Sequence, residues 1–294
     1  MQHSQLAPQL APQFAIITPS FAPDFERCRL LCESMQALIK TPHRHYVVVD
    51  RSDFNLFQSL KSHNRDILVV EDIIPPWIRR PPLSRKIWLS SKTLPIRNWL
   101  LQQIVKLETA KTRDEDYIVF VDSDVAFIRS FDFNTLIQNN CLRLYRDVQG
   151  NATQKEIHAK WHRSAARLLN LPTVDAAIPD YIGNLITWRR RNVVALCEHL
   201  ENVFGRSWIE VVGNTWHFSE YVLYGTYVER VLKEKSGHYY EAATLSHDYW
   251  LPTPLNDDQL KHFFTEIPTE KVAIMLSAKA GIAVERYASL CQQI

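Results

Sequence analysis

Asp122, Ser123 and Asp124 stand inside the most apolar stretch of the chain, YIVFVDSDVAFI. Carboxylates in apolar surroundings are costly unless something positive offsets them. Alternate residues of a strand point to the same side, so two carboxylates spaced this way can face one ligand. A divalent cation meets both conditions, because it neutralises the pair and leaves coordination positions open for phosphate oxygens. The plainer reading is a polar turn whose side chains bond local backbone donors. The apolar VAFI directly after the pair weighs against it.

A second group of residues suits proton transfer and anion binding. Glu220 lies in TWHFSEYVLYG behind Ser219, a residue type that caps helices. A carboxylate in the first helical turn is kept ionised, as a general base acting on an acceptor hydroxyl must be. Asp180 in PDYIGN is the alternative base. The rings around Glu220 (Trp216, His217, Phe218, Tyr221 and Tyr224) suit a cleft for sugar faces. Arg85 and Lys86 follow the proline-punctuated loop at 75–85, within reach of a diphosphate, and Lys106 sits on the helix before the aspartate pair; the plainer reading of each is a solvated charge. Trp188, Arg189, Arg190 and Arg191 read as an exposed basic face.

The elements that must hold these residues are those of an α/β protein. Apolar runs at 14–18 (FAIIT), 46–49 (YVVV), 67–70 (ILVV) and 117–128 predict buried strands. Apolar residues at helical spacing predict helices over 24–40 and 98–110. Short apolar strands alternating with helices indicate a parallel sheet covered on both faces. Further along, the pattern predicts helices at 154–170, 192–204, 219–235, 257–264 and 270–280, and strands at 182–187 and 208–212.

This order, FAIITPSF, helix, YVVVD, ILVVED, helix, then YIVFVDSDVAF, resembles the glycosyltransferase A (GT-A) fold with its Asp-x-Asp motif, over residues 13–250. It is similar to bacterial nucleotide-sugar glycosyltransferases of surface-polysaccharide assembly. The resemblance implies a Rossmann-like, mostly parallel sheet flanked by helices, with a smaller acceptor-binding subregion. It implies that Thr18, Pro19, Ser20 and Asp50 meet the nucleotide base and ribose, and that Asp122 and Ser123 adjoin the donor. It implies a late third metal ligand, which falls on His247 in LSHDYW with Asp248 as its substitute. A histidine in that set favours Mn²⁺ over Mg²⁺. The implied reaction is single-displacement transfer of a hexose, glucose by default, from a UDP-sugar to a saccharide or lipid-linked acceptor. The expected organisation is a flexible tail at 1–12 and one catalytic domain at 13–294. That domain divides into a donor half (13–130), an acceptor half (131–250) and a C-terminal helical segment (251–294).

Three rival classes share some of these features. Haloacid-dehalogenase-like phosphatases also end an apolar strand in Asp-x-Asp, which would make Asp122 a nucleophile; their motif normally opens the fold, whereas about three strands precede it here. A sugar nucleotidyltransferase needs a glycine-rich loop after its first strand, and the first 149 residues contain no glycine. A non-catalytic carbohydrate-binding module explains the aromatics but not the carboxylate pair.

Composition narrows the partners. The 34 Lys and Arg against 32 Asp and Glu give a net charge of +2, no basis for expecting a nucleic-acid partner. Five cysteines without a C-x-x-C pair read as scattered core thiols. MQHSQLAPQLAPQ has neither a basic start nor an apolar core, so no signal peptide is expected. No run approaches a membrane span. A cytoplasmic protein is expected, with peripheral docking at the inner face of the membrane left open.

Overall fold

A computed structural model describes residues 13–81, 86–148, 156–173 and 179–294. The tail at 1–12 and Arg85 lie outside the described residues. In chain order the first half contains β1 (Phe14–Pro19), α1 (Phe25–Leu38), β2 (His43–Val49) and β3 (Arg65–Val69). Then come β4 (Ile78–Arg79), β5 (Ile87–Ser90), β6 (Ile96–Arg97), α2 (Asn98–Thr112), β7 (Tyr117–Phe120) and β8 (Val125–Phe127). The middle contains β9 (Ile137–Gln138), β10 (Cys141–Tyr145), α3 (Glu156–Leu168), β11 (Ile186–Arg189), α4 (Arg190–Phe204), α5 (Trp208–Gly213) and α6 (Glu220–Thr226). The chain closes with β12 (His238–Glu241), β13 (Ser246–Tyr249), α7 (Asp257–Thr265) and β14 (Ala273–Leu276).

The fold is mixed α/β. Its main sheet runs β3-β2-β1-β7-β11. The first four strands are parallel, and β11 pairs antiparallel with β7. Every residue of β1 and β7 is buried, which is why these strands are continuously apolar rather than alternating. On one side the core joins Ile17, Ile118 and Phe120 to Ile104 of α2 and Leu196 of α4. On the other it joins Phe14, Ile16 and Val119 to Leu31 of α1 and Val125 of β8. Three smaller sheets surround this one: β12-β10-β9, β13-β14-β8 and β4-β5-β6.

Several sequence expectations change. Residues 117–128 form two strands, not one. The Val121 N–H still donates to Ile17 C=O (3.2 Å), while the Val125 N–H donates back to Asp122 C=O (3.2 Å). The chain therefore leaves the main sheet at Asp122 and joins the β13-β14-β8 sheet at Val125. Both flanks are apolar because each is a buried strand of a different sheet. Residues 208–213 are helix, not strand, with Trp208, Ile209, Val211 and Val212 buried on it. Within 270–280, expected as helix, lies buried β14. The 219–235 helix holds α-geometry only to Thr226, continues as π-helix over Tyr227–Leu232 and ends at Lys233 with φ 52°. Trp188 and Arg189 are buried, so the expected basic face at 188–191 does not exist as such. The cysteines are all free, four of them buried. Among the described residues no helix is long and apolar enough to cross a membrane.

Candidate carboxylate site

The carboxyl ends of β1, β2 and β7 lie along one edge of the main sheet, the edge at which open parallel sheets bind ligands. Asp122 and Asp124 project from the turn that follows β7. The turn closes through the Val125 N–H and the Asp122 C=O, and the Asp124 carboxyl also takes up its own backbone N–H. Asp122 is 38% exposed at its side chain and faces Lys106 Nζ at 3.3 Å. Asp124 Oδ2 accepts the Ala278 backbone N–H at 2.9 Å. Burial, with the negative charge of Asp122 added, pushes the Asp124 carboxyl up from its ordinary 3.8 to about 7. The Ala278 N–H works against this shift and does not cancel it.

Lys106 organises the other half of the site. It is buried on α2, and its Nζ lies 3.4 Å from Glu220 Oε1 and donates to Tyr221 Oη at 3.0 Å. Burial alone would lower the pKa of Lys106; the attraction of Asp122, Tyr221 and Glu220 reverses this and holds it well above its usual range. Glu220 moves up as well, chiefly by burial, with Lys106 opposing the shift. The two directions agree physically, because Lys106 faces three oxygens whereas Glu220 faces one cation. Glu220 starts α6 behind Ser219, whose side chain accepts from the Val222 N–H. The Glu220 N–H is taken by Gln103 Oε1 at 2.9 Å, one helical turn before Lys106. One face of α2 thus grips the start of α6 by two side chains.

The structure brings Asp122, Ser123, Asp124, Lys106 and Glu220 together and separates other expected partners from them. The His247 ring lies tilted against Phe263 of α7, with centroids 4.5 Å apart. Its strand, β13, is separated from β8 by β14, a span of about 10 Å. No group that includes His247 and the pair is arranged to hold a metal among the described residues. Asp248 points to the opposite face, where its Oδ2 accepts from Asn184 Nδ2 at 3.2 Å. Asp180 is buried and accepts the Ile182 N–H at 3.0 Å. Burial raises its pKa. With Asp147 and Asp248 it bears on Tyr145, whose hydroxyl is pushed up to about 12, first by burial and then by these charges. Asp180 thus belongs to a second acidic cluster.

The expected nucleotide contacts are mostly occupied by the fold. Thr18 is fully buried, with Oγ1 3.0 Å from His45 Nε2. Arg65 Nε donates to His45 Nδ1 at 3.0 Å; the neutral ring therefore carries its proton on Nε2 and donates to Thr18. Pro19 is buried, and the Ser20 Oγ is buried beside the Cys28 thiol. Asp50 is ion-paired with Arg80 at 2.5 Å, and the Arg80 guanidinium lies 4.3 Å over the Trp88 ring. Lys86 sits at the foot of the β5-β6 hairpin, where its carbonyl accepts the Asn98 N–H. Glu220 is enclosed, at 5% side-chain exposure, and does not present an open carboxylate.

Sequence reasoning missed Gln103, Tyr221 as a partner of Lys106, and the turn at 277–281 that docks on Asp124. The i, i+3 spacing of Gln103 and Lys106 was the only available signal for the first. A surface cavity of about 650 Å³ lies on the β4-β5 hairpin and is lined by Trp77, Arg79 and Leu89, not by these carboxylates. We place the site by its converging charges, since an open trough can form wherever a hairpin stands off a surface.

Among the described residues no group of three or more His, Cys, Asp or Glu is arranged to hold a metal. The expected metal set is thereby reduced to the two carboxylates of Asp122 and Asp124 as candidates. Hard oxygen donors of this kind suit Mg²⁺ or Mn²⁺.

The sequence model of a family of unknown function, DUF6492, matches residues 15–278. The chain belongs to that family. The matched span runs from the second residue of β1 through β14 and includes the aspartate pair, Lys106, Glu220 and Ala278. A search of curated proteins finds no match.

Proposed function

We propose that this DUF6492 member is a metal-dependent glycosyltransferase of the GT-A type, taking a hexose from a nucleoside diphosphate donor, by default UDP-glucose, to a saccharide or lipid-linked acceptor in polysaccharide assembly. The observation that carries the reading is the pair Asp122 and Asp124 at the carboxyl edge of a parallel sheet, with Asp124 held at about 7 by burial and by its neighbour. A carboxyl kept so close to neutrality is one whose ionised form lacks a cation. Lys106 supplies one positive charge to Asp122 and Glu220 together, and among the described residues no cation is paired with Asp124.

Asp122 and Asp124 would hold Mn²⁺ or Mg²⁺, which supplies Lewis-acid stabilisation of the departing diphosphate. Lys106 fixes Asp122 from behind, and Glu220 and Tyr221 fix Lys106. The Ala278 N–H orients Asp124. With Glu220 and Asp180 both enclosed, the proposal assigns no general base, and it assigns no donor contact to Thr18.

A second reading rests on the same Lys106 contact. Asp122 backed by a lysine also suits a phosphoryl-accepting nucleophile, as in haloacid-dehalogenase-like phosphatases. Incubation with UDP-sugars and with phosphate monoesters, in Mn²⁺ and in chelator, separates the two. Release of UDP from a UDP-sugar only with the metal supports transfer. Release of inorganic phosphate without UDP would replace it by hydrolysis.

A further inference from the structure

The β4-β5-β6 sheet carries apolar residues on both of its faces. Successive residues of a strand point to opposite sides. On β5 Trp88 turns inward at 1% exposure, while Ile87 and Leu89 turn outward at 36% and 50%. A surface sheet ordinarily shows polar residues on its outer side. Beyond the hairpin, Leu94 is 62% exposed, Trp99 45% and Trp216 59%. Contacts tie several of these residues to neighbouring elements. The Leu94 N–H reaches Asn214 Oδ1 at 3.4 Å, Arg97 donates to Trp216 C=O at 2.9 Å, and Trp99 stacks on Trp161 at 5.8 Å. Single exposed hydrophobic residues need no explanation, but a connected patch marks an interaction surface.

The charge of the same segment is one-sided. Residues 73–107 contain seven Lys or Arg and no Asp or Glu, in a chain whose net charge is only +2. Arg79, Lys92 and Arg97 are exposed on this surface. Two of its cations lie over tryptophan rings, Arg97 at 4.2 Å from Trp216 and Lys92 at 5.6 Å from Trp77. Tryptophan rings with adjacent cations suit the headgroup layer of a membrane, where the ring sits at the boundary and the charge meets phosphate. A nucleic-acid backbone would use the cations but gain nothing from Ile87, Leu89 and Leu94. An anionic bilayer uses both.

We propose that this face, built by the β4-β5-β6 sheet, Leu94, Trp99 and Trp216, docks the protein on an anionic lipid surface. Trp216 lies four residues before Glu220, and α2, which carries Lys106, begins directly after β6. Docking therefore sets the carboxylate site close to the bilayer. The proposal does not depend on sugar transfer, because the surface would bind lipid whatever the site does.

The test is co-sedimentation of the full chain with vesicles of phosphatidylcholine, alone or mixed with phosphatidylglycerol. Binding is expected only to the mixed vesicles, weakening with salt. Lys92→Gln with Arg97→Gln should weaken it roughly 25-fold, at about fivefold per cation near the surface. Leu89→Ser with Leu94→Ser should weaken it without removing the salt dependence. Absence of binding to mixed vesicles, equal binding to pure phosphatidylcholine, or full binding by both variants overturns the proposal. Binding to a DNA oligonucleotide but not to vesicles overturns it too. Because a variant can misfold, quenching of the native protein's tryptophans by brominated lipid gives a second readout. Quenching is expected and should fall in Trp99→Phe with Trp216→Phe; no quenching of the native protein contradicts docking.

Discussion

Replacing Lys106 by Met tests whether one buried cation holds the candidate site together. Met keeps the length and apolar stem of Lys106 but removes the charge that Asp122 and Glu220 share. Removing one partner of a buried ion pair costs about 3–5 kcal/mol. The loss belongs chiefly to Glu220, since Asp122 is 38% exposed and solvent screens much of its share. At roughly 2.1 cal/mol/K per residue, a chain of 294 residues should lose about 5–8 °C in Tm. The deficit should depend on pH. The folded-state pKa of Glu220 is raised by burial, so the folded protein binds the proton more tightly than the unfolded chain. Stability then falls as pH rises above the ordinary glutamate value of 4.5. Without Lys106 that fall steepens, so the gap between variant and native protein should widen towards neutral pH and close in acid. Thermal unfolding followed by circular dichroism across this range measures it. Lys106→Met with Glu220→Gln should recover most of the loss, because the uncompensated charge is gone. A double variant no more stable than Lys106→Met alone, or a deficit that does not change with pH, would refute the reasoning.

Three further outcomes follow from the geometry. Asp124→Asn removes a carboxylate whose pKa stands at about 7 against an ordinary 3.8. The raised folded-state value means native stability declines as pH rises between those limits. In metal-free buffer the variant should therefore be the more stable form above pH 7, by at most ~4 kcal/mol, with the gain vanishing in acid; a constant difference across pH would contradict this. Thr18→Val leaves the His45 Nε2–H buried without its partner and should cost about 1–3 kcal/mol in urea unfolding, while UDP affinity measured by calorimetry stays unchanged. His247→Ala should leave Mn²⁺ affinity at its native value, because the ring packs on Phe263; a marked loss of affinity would return it to the metal site.

The main sheet was legible because β1, β2, β3 and β7 are short, apolar and buried, and helix periodicity marked α1 and α2. The aspartate pair stood out as charge inside an apolar run, although Asp122 is 38% exposed at its side chain. Its geometry was not legible. YIVFVDSDVAFI reads as one strand, and only the pairing of Val125 with Met275, 150 residues later, turns its second half into another sheet. The β-branched WIEVV suggested a strand, yet Trp208, Ile209, Val211 and Val212 all bury from a helix against α2 and α4, a tertiary preference that overrides local propensity. Trp188-Arg189 looked like a surface because arginines usually are. Here Arg189 lies over Tyr117 and donates to the Asn140 carbonyl. His247 and Asp248 were adjacent candidates, and strand alternation sends them to opposite faces. Sequence spacing found which residues were unusual but not which faces they share.

The central claim is that Asp122 and Asp124 together grip a divalent cation that binds a diphosphate. Calorimetric titration of uridine diphosphate into the native protein, Asp122→Asn and Asp124→Asn, with Mn²⁺ and then with chelator, tests it most directly. The account predicts binding by the native protein in Mn²⁺ alone, and none by either variant. Binding that persists in chelator, or that survives both substitutions, would contradict it.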